Sequence, residues 1–75
     1  MSKLIPSLKA KKIISTLLKA GFLIQHQKGS HIRLIHRSKP PITISRHDKQ
    51  EISHVITQSI LKRINITEKD FLKLI

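Results

Sequence analysis

The residues best suited to chemistry lie in one short stretch, Gln27-Lys28-Gly29-Ser30-His31. A histidine exchanges a proton near neutral pH, while a lysine and a hydroxyl are donors suited to a phosphate oxygen. Arg33 adds a second cation two residues further on. A proton carrier beside phosphate-binding groups is typical of RNA backbone cleavage, because a 2′-hydroxyl must lose a proton while charge builds up on phosphorus. The residues alone equally allow His31 to contact phosphate without catalysis.

The remaining composition argues against most other reaction types. There is no cysteine, so a thiolate zinc site and a disulfide framework are both excluded. The two glycines form no Walker or dinucleotide-binding motif. The four acidic residues lie near predicted helix starts, which does not favour paired-carboxylate catalysis or a magnesium site. We therefore predict neither a metal ion nor another cofactor.

Two strand-length segments flank this stretch, Phe22 to His26 and Ile32 to Ile35. We expect a three-residue loop, Gln27-Lys28-Gly29, with Gly29 in the left-handed conformation. This register makes Ile24 face Ile32 and gives an apolar face. Its opposite face carries a polar set together with Leu23 and Ile35, and the polar members are Gln25, Gln27, His31 and Arg33. A two-residue loop would shift the register by one residue and mix the two sets, so we favour the longer loop.

The other histidines are His26, His36, His47 and His54. Strand alternation predicts that His26 and His36 lie on the core face near strand ends. His54 lies early in a predicted helix, an unfavourable position for a cation. We expect structural roles for these three, and their spacing fits no zinc pattern.

The predicted elements give the order α-β-β-β-α with a short extra α-helix. The first helix runs from Leu8 to Ala20, with Ser7 as N-cap and Gly21 as the left-handed residue after it. Ile42 to Ser45 makes a third strand, with Ile42 and Ile44 towards the core. We expect an α+β fold in which a three-stranded antiparallel sheet has its helices on one face.

Two further helices follow the third strand. The second begins either at the capping box Asp48 to Glu51 or with Ser53 as N-cap, and it ends at a left-handed Asn65. Its predicted apolar stripe consists of Val55, Ile56, Ile60, Leu61 and Ile64. A short third helix begins at Thr67-Glu68-Lys69-Asp70.

Charge is the strongest property of the whole chain. Fifteen Lys and Arg residues against four Asp and Glu give a net charge of +11 over 75 residues. Such a field attracts polyanions, so we expect a nucleic-acid partner, an acidic protein partner, or both. We expect residues 1–75 to form one domain without a membrane span, and the lack of cysteine fits a reducing cytoplasm.

Several separate segments resemble HicA-type toxins of the HicA–HicB toxin–antitoxin systems, also called the YcfA-like family. The matching segments are Leu17-Leu18-Lys19-Ala20-Gly21-Phe22, Gln27-Lys28-Gly29-Ser30-His31, Arg46-His47, Glu51-Ile52, Ser59-Ile60-Leu61-Lys62 and Ile66-Thr67-Glu68-Lys69-Asp70-Phe71. The Gly-Ser-His element after Gly-Phe and a short strand is fairly specific when the closing helix pattern is also present.

The resemblance implies a double-stranded-RNA-binding-domain-like fold and an mRNA interferase, a metal-independent endoribonuclease that arrests translation. It places the family's catalytic histidine on His31 and implies an acidic HicB-like antitoxin as partner. The chain departs from the family at Val55 to Gln58, where a Gly-Thr-Leu-Arg-like run is frequent, and at Asn65, where glycine is usual.

We therefore predict a ribonuclease in which His31 transfers a proton and Lys28, Gly29, Ser30 and Arg33 bind RNA. The second proton-transfer role is open to water, Lys28 or His47, and Gln27 is a further accessory candidate. Two alternatives remain: a non-catalytic double-stranded-RNA-binding module with the same fold, and a DNA-binding protein that uses its second helix.

Overall fold

The structure is a computed structural model that describes residues 5–46 and 50–75. In chain order its elements are β1 (Leu8–Lys9), α1 (Ala10–Lys19), β2 (Leu23–Lys28), β3 (His31–Ile35), β4 (Ile42–Ser45), β5 (Glu51–Ile52), α2 (His54–Arg63) and α3 (Glu68–Leu74). Strands β2, β3 and β4 form an antiparallel sheet with β3 in the middle. The α+β prediction is therefore confirmed, whereas the likeness to double-stranded-RNA-binding domains stays a prediction.

The prediction for the start of α1 was wrong. Leu8 and Lys9 are extended and pair antiparallel with Ile52 and Glu51, so the helix begins at Ala10. The backbone groups of these two residues find their partners more than forty residues away in the chain. Helical periodicity describes only neighbours in sequence, so it could not indicate this small second sheet.

The end of α1 agrees with the prediction. Gly21 has φ +100°, and its N–H donates to the carbonyl of Leu18 at 3.1 Å. The next N–H, of Phe22, donates to the carbonyl of Leu17, also at 3.1 Å. This pair of bonds is a Schellman motif, which ends the helix and turns the chain back. It delivers Phe22 into the core, where only 1% of its surface is exposed.

The predicted hairpin register was also wrong. Lys28 pairs with His31, so the loop contains two residues, Gly29 and Ser30. Gly29 has φ +58°, as the first loop position of a type II′ turn requires. One extra residue, Gln25, then forms a β-bulge between Ile24 and His26. The short loop and the bulge together keep Ile24 on the apolar face. The three-residue loop was favoured because it gives this same result without a bulge.

Helix α2 begins with Ser53 as N-cap, whose hydroxyl accepts from the N–H of Ile56 at 3.4 Å. The alternative capping box includes Asp48, which lies outside the described residues. The predicted stripe is wrong at its start, because Val55 and Ile56 are 61% and 55% exposed. The residues that α2 turns to the core are Thr57 and Leu61, with Ile64 following at helical spacing.

The C-terminal elements match their predictions. Asn65 has φ +58° and ends α2, and the N–H of Ile66 donates to the carbonyl of Leu61 at 3.0 Å. The hydroxyl of Thr67 caps α3 by accepting from the N–H of Asp70 at 3.1 Å. Phe71 then lies buried against the core.

One apolar core lies between the helices and one face of the sheet. Its buried members are Ile5, Ala10, Ile13, Ile14, Leu17, Phe22, Ile32, Leu34, Ile42, Ile44, Leu61, Ile64 and Phe71. No helix in the described part of the chain is long and apolar enough to cross a membrane. The opposite face of the sheet stays exposed and carries most of the polar residues of the strands.

Candidate functional site

The exposed face of the sheet is a compact polar surface, which we call the open face. It consists of His26, Lys28, His31, Arg33, Thr43 and Ser45, which are all exposed. Strand pairing arranges them in two rows, because directly paired residues of antiparallel strands project to the same side. One row is Lys28, His31 and Ser45, and the other is His26, Arg33 and Thr43.

His31 is the first residue of the central strand β3. Its backbone is held on both sides, by Lys28 of β2 and by Ser45 of β4. Cross-strand partners have Cβ atoms about 4.5–5.5 Å apart, so the Lys28 ammonium can reach a phosphate that His31 contacts. The strand therefore presents an accessible imidazole from a fixed backbone beside a cation.

Arg33 is oriented by a neighbour on the same side of the sheet. Its Nε donates to Oε1 of Gln25 at 2.9 Å. A guanidinium carries five N–H donors in a planar fork, so this bond uses one donor and orients the plane. Because Gln25 is the bulge residue, the local irregularity of β2 helps to position an arginine suited to a phosphate.

The hairpin tip that precedes His31 is attached to the segment after β4. The carbonyl of Ser30 accepts from the backbone N–H of Arg46 at 2.6 Å. Gln27, Gly29, Ser30 and Arg46 line a shallow depression at this tip. Gly29 is exposed and open, since an added Cβ there would meet no atom within 4 Å. The tip can therefore approach a large ligand closely.

The bulge changes the positions expected for two side chains. His26 was predicted on the core face, but it pairs with Arg33 and lies on the open face. Gln27 was predicted on the polar face, but it pairs with the buried Ile32 and projects to the other side. His47 lies outside the described residues. Alternation along β4 already implied open positions for Thr43 and Ser45, whereas nothing in the sequence signalled the position of His26.

His36 has the structural role that was expected of it. Its ring packs on Phe22 with centroids 4.8 Å apart, and its Nδ1 accepts from the N–H of Ser38 at 3.0 Å. Nε2 lies 3.3 Å from the carbonyl oxygen of Ala20, so the tautomer protonated on Nε2 satisfies both bonds.

In residues 5–46 and 50–75, no three His, Asp or Glu side chains are grouped so that they could hold a metal ion.

A comparison with known protein families shows to which class of protein this chain belongs. The sequence model of the family described as HicA toxin of bacterial toxin-antitoxin matches residues 10–66, more than half of the chain. This protein belongs to the HicA toxin family. The match begins with α1 and includes the whole open face. No curated protein and no solved structure matches the chain. Membership makes it a toxin of a toxin–antitoxin system, with a cognate antitoxin as partner.

Proposed function

We propose that this HicA-family toxin is an mRNA interferase, an endoribonuclease that cleaves RNA by histidine proton transfer without a metal ion. It acts in the cytoplasm, where translated mRNA is found. The observation that carries the proposal is the row Lys28–His31 on the exposed side of the central strand. A titratable imidazole on a fixed backbone beside a cation is what cleavage of a phosphodiester needs.

RNA binding is supported by the charge of the chain and by the chemistry of the open face. The net charge of +11 favours capture of a polyanion, and Lys28 and Arg33 place two cations among exposed polar side chains. The tip formed by Gly29 and Ser30 has no bulky side chain, so the RNA backbone can come close to His31. We assign these four residues to phosphate contacts.

In the proposed reaction the His31 imidazole accepts the proton of a ribose 2′-hydroxyl. The freed oxygen attacks the adjacent phosphorus, and the bond from phosphorus to the 5′-oxygen of the next nucleotide breaks. Lys28 and Arg33 stabilise the negative charge that builds up on the phosphoryl oxygens. The departing 5′-oxygen takes up a proton, so the products are a 2′,3′-cyclic phosphate and a 5′-hydroxyl end.

The proposed neutralising partner is an acidic HicB-like antitoxin that covers the open face. An acidic surface complements the net charge of +11 and competes with RNA for the same cations. Covering His31 would block access without altering the fold of the toxin.

The test is expression of the wild type and His31→Ala while growth and the integrity of total mRNA are followed. We expect wild type to stop growth and fragment mRNA, whereas His31→Ala loses about 10²–10⁴-fold of the cleavage rate. His54→Ala is the matched control, since it removes an exposed imidazole at the start of α2.

Two results would contradict the proposal. Wild type that binds RNA in a salt-dependent way and leaves it intact is a non-catalytic RNA-binding module. Undiminished cleavage by His31→Ala would remove His31 from the reaction.

A further inference from the structure

The β-bulge at Gln25 brings a second imidazole to the face that carries His31. Without the bulge, alternation from Ile24 would place His26 on the apolar side of the sheet. The extra residue reverses that alternation, and His26 pairs with Arg33 on the exposed side. Bulges re-aim side chains in this way and are frequent beside active sites.

His26 and His31 are diagonal neighbours on paired strands. His31 pairs with Lys28, and His26 pairs with Arg33, one step further along both strands on the same face. Diagonal positions are about 7–8 Å apart, which long or aromatic side chains can span. Two imidazoles and two cations therefore alternate at the corners of one small patch on the open face.

The proposed cleavage requires two proton transfers. One group removes the proton of the 2′-hydroxyl, and another supplies a proton to the departing 5′-oxygen. A lysine holds its proton strongly at neutral pH, whereas a histidine titrates in this range and can serve in either role. Among the residues that the structure describes, His26 is the other histidine of the open face, and it lies diagonally across the patch from His31.

We propose that His26 is the general acid of the reaction, an inference that rests on the proposed ribonuclease function. As the bond between phosphorus and the 5′-oxygen breaks, His26 gives its proton to that oxygen, and His31 keeps the proton taken from the 2′-hydroxyl. The RNA gains and loses one proton overall, and solvent exchange returns both imidazoles to their starting states. No oxidant, reductant or further reactant takes part.

The surroundings of His26 suit this role. Arg33 lies directly across the strand pair and is fixed by Gln25, so it can hold the phosphate next to the imidazole. Lys28 lies two residues along the same strand and on the same side. Thr43, the partner of Arg33 on β4, completes this row without adding charge. His26 is itself exposed, so a leaving nucleotide can reach it from solvent.

The test compares two RNA oligonucleotides that differ in one atom at the cleaved linkage. One has the ordinary 5′-oxygen, and the other has sulfur in that bridging position. A thiolate leaves without protonation, so cleavage of the sulfur-containing RNA needs no general acid. The proteins compared are wild type, His26→Ala, His31→Ala and the control His54→Ala. His26→Gln is a second variant that keeps a polar side chain on β2, and circular dichroism checks that each protein is folded.

We expect both His26 variants to cleave ordinary RNA about 10²–10⁴-fold more slowly than wild type. On the sulfur-containing RNA they should approach the wild-type rate, since the leaving group no longer needs a proton. His31→Ala should be impaired on both substrates, because the attacking hydroxyl still needs a base. His54→Ala should match wild type on both.

Several results would overturn the inference. Wild-type rates for the His26 variants on ordinary RNA would remove His26 from the reaction. Equal losses on both substrates would make it a phosphate-contacting residue only, and recovery by His31→Ala instead would exchange the two roles. In each of these cases wild type still cleaves RNA, so the proposed function survives. If wild type cleaves neither substrate, the proposed function and this inference fail together.

Discussion

The two faces of the same three strands carry different kinds of residues. Along the central strand, His31 and Arg33 are exposed, whereas Ile32 and Leu34 keep 2% and 0% of their surface exposed. Neighbours in sequence therefore belong to opposite faces, one packed and one open. The backbone that they share is held on both sides by hydrogen bonds. Stability and chemistry can thus be altered separately by substitutions only one residue apart.

The edge strands β2 and β4 differ in how strictly their buried and exposed residues alternate. On β4, Ile42 and Ile44 are buried while Thr43 and Ser45 are exposed, as simple alternation requires. On β2 the bulge interrupts the alternation, and Ile24 is 46% exposed although it pairs with the buried Leu34. Strand β2 therefore contributes little to the core and much to the open face. Its irregular part is also the part that positions Gln25 and His26.

Leu34→Ala should have the largest effect on the packed face. The side chain is fully buried, so its truncation should lower the free energy of unfolding by about 2–5 kcal/mol. This is a large share of the roughly 5–15 kcal/mol that stabilises a typical domain. Urea denaturation would measure it. At temperatures where the variant remains folded, its rate of RNA cleavage should stay near that of wild type.

The matched control for Leu34→Ala is Arg33→Ala, which changes the adjacent residue on the other face. The stability of Arg33→Ala should differ from that of wild type by only about 0.5 kcal/mol, since the side chain is exposed, while RNA binding should weaken. Equal loss of stability in both variants would mean that the two faces are not energetically separate.

A second and smaller contrast concerns the two glycines. Gly21 ends α1 with φ +100°, outside the left-handed region that other residues reach, and an added Cβ would lie 3.0 Å from Nε2 of His36. Gly29 also has a positive φ, +58°, but no atom lies within 4 Å of an added Cβ. We expect Gly21→Ala to cost about 2–3 kcal/mol of stability and Gly29→Ala about 1–2 kcal/mol.

The two substitutions should also differ in function. Gly29→Ala places a methyl group at the tip beside His31, so the folded variant should bind RNA less tightly. Gly21→Ala acts on the core side, and its folded fraction should bind RNA as wild type does. Thermal unfolding and RNA titration of the same samples would separate the two effects. A loss of RNA affinity confined to Gly21→Ala would reverse the assignment.

Much of this organisation can be predicted from the sequence, because it depends on local chemistry. Ser53, Thr67, Gly21 and Asn65 mark helix ends through capping and backbone preference, and all four have these roles in the structure. Simple alternation was sufficient to predict which residues from Ile42 to Ser45 are buried and which are exposed. The pairing of β1 with β5 was missed, since it joins two-residue strands that are far apart in the chain.

The hairpin shows a different limit of sequence reasoning. A three-residue loop without a bulge and a two-residue loop with a bulge both place Ile24 and Leu34 on the apolar face. The pattern of apolar residues therefore determines which face they occupy, but it does not determine the register. The choice of register changes the face of exposed residues only, and that is why His26 and Gln27 were predicted on the wrong faces. The functional roles of His31, Lys28, Gly29, Ser30 and Arg33 stay predictions.

The smallest expected effect is a change in the salt dependence of RNA binding. It distinguishes a cation on the open face from a cation elsewhere on the protein. Lys28→Ala removes a cation beside His31, and Lys11→Ala removes an exposed cation from α1, so both variants have the same net charge. A side chain that neutralises one phosphate contributes roughly 0.7–0.9 to the slope of log binding constant against log salt concentration. We expect Lys28→Ala to lose about this much of the slope and Lys11→Ala to lose almost none. Titration of one RNA at several salt concentrations would measure both. Equal losses would mean that RNA senses only the overall charge, and the open face would then have no special part in binding.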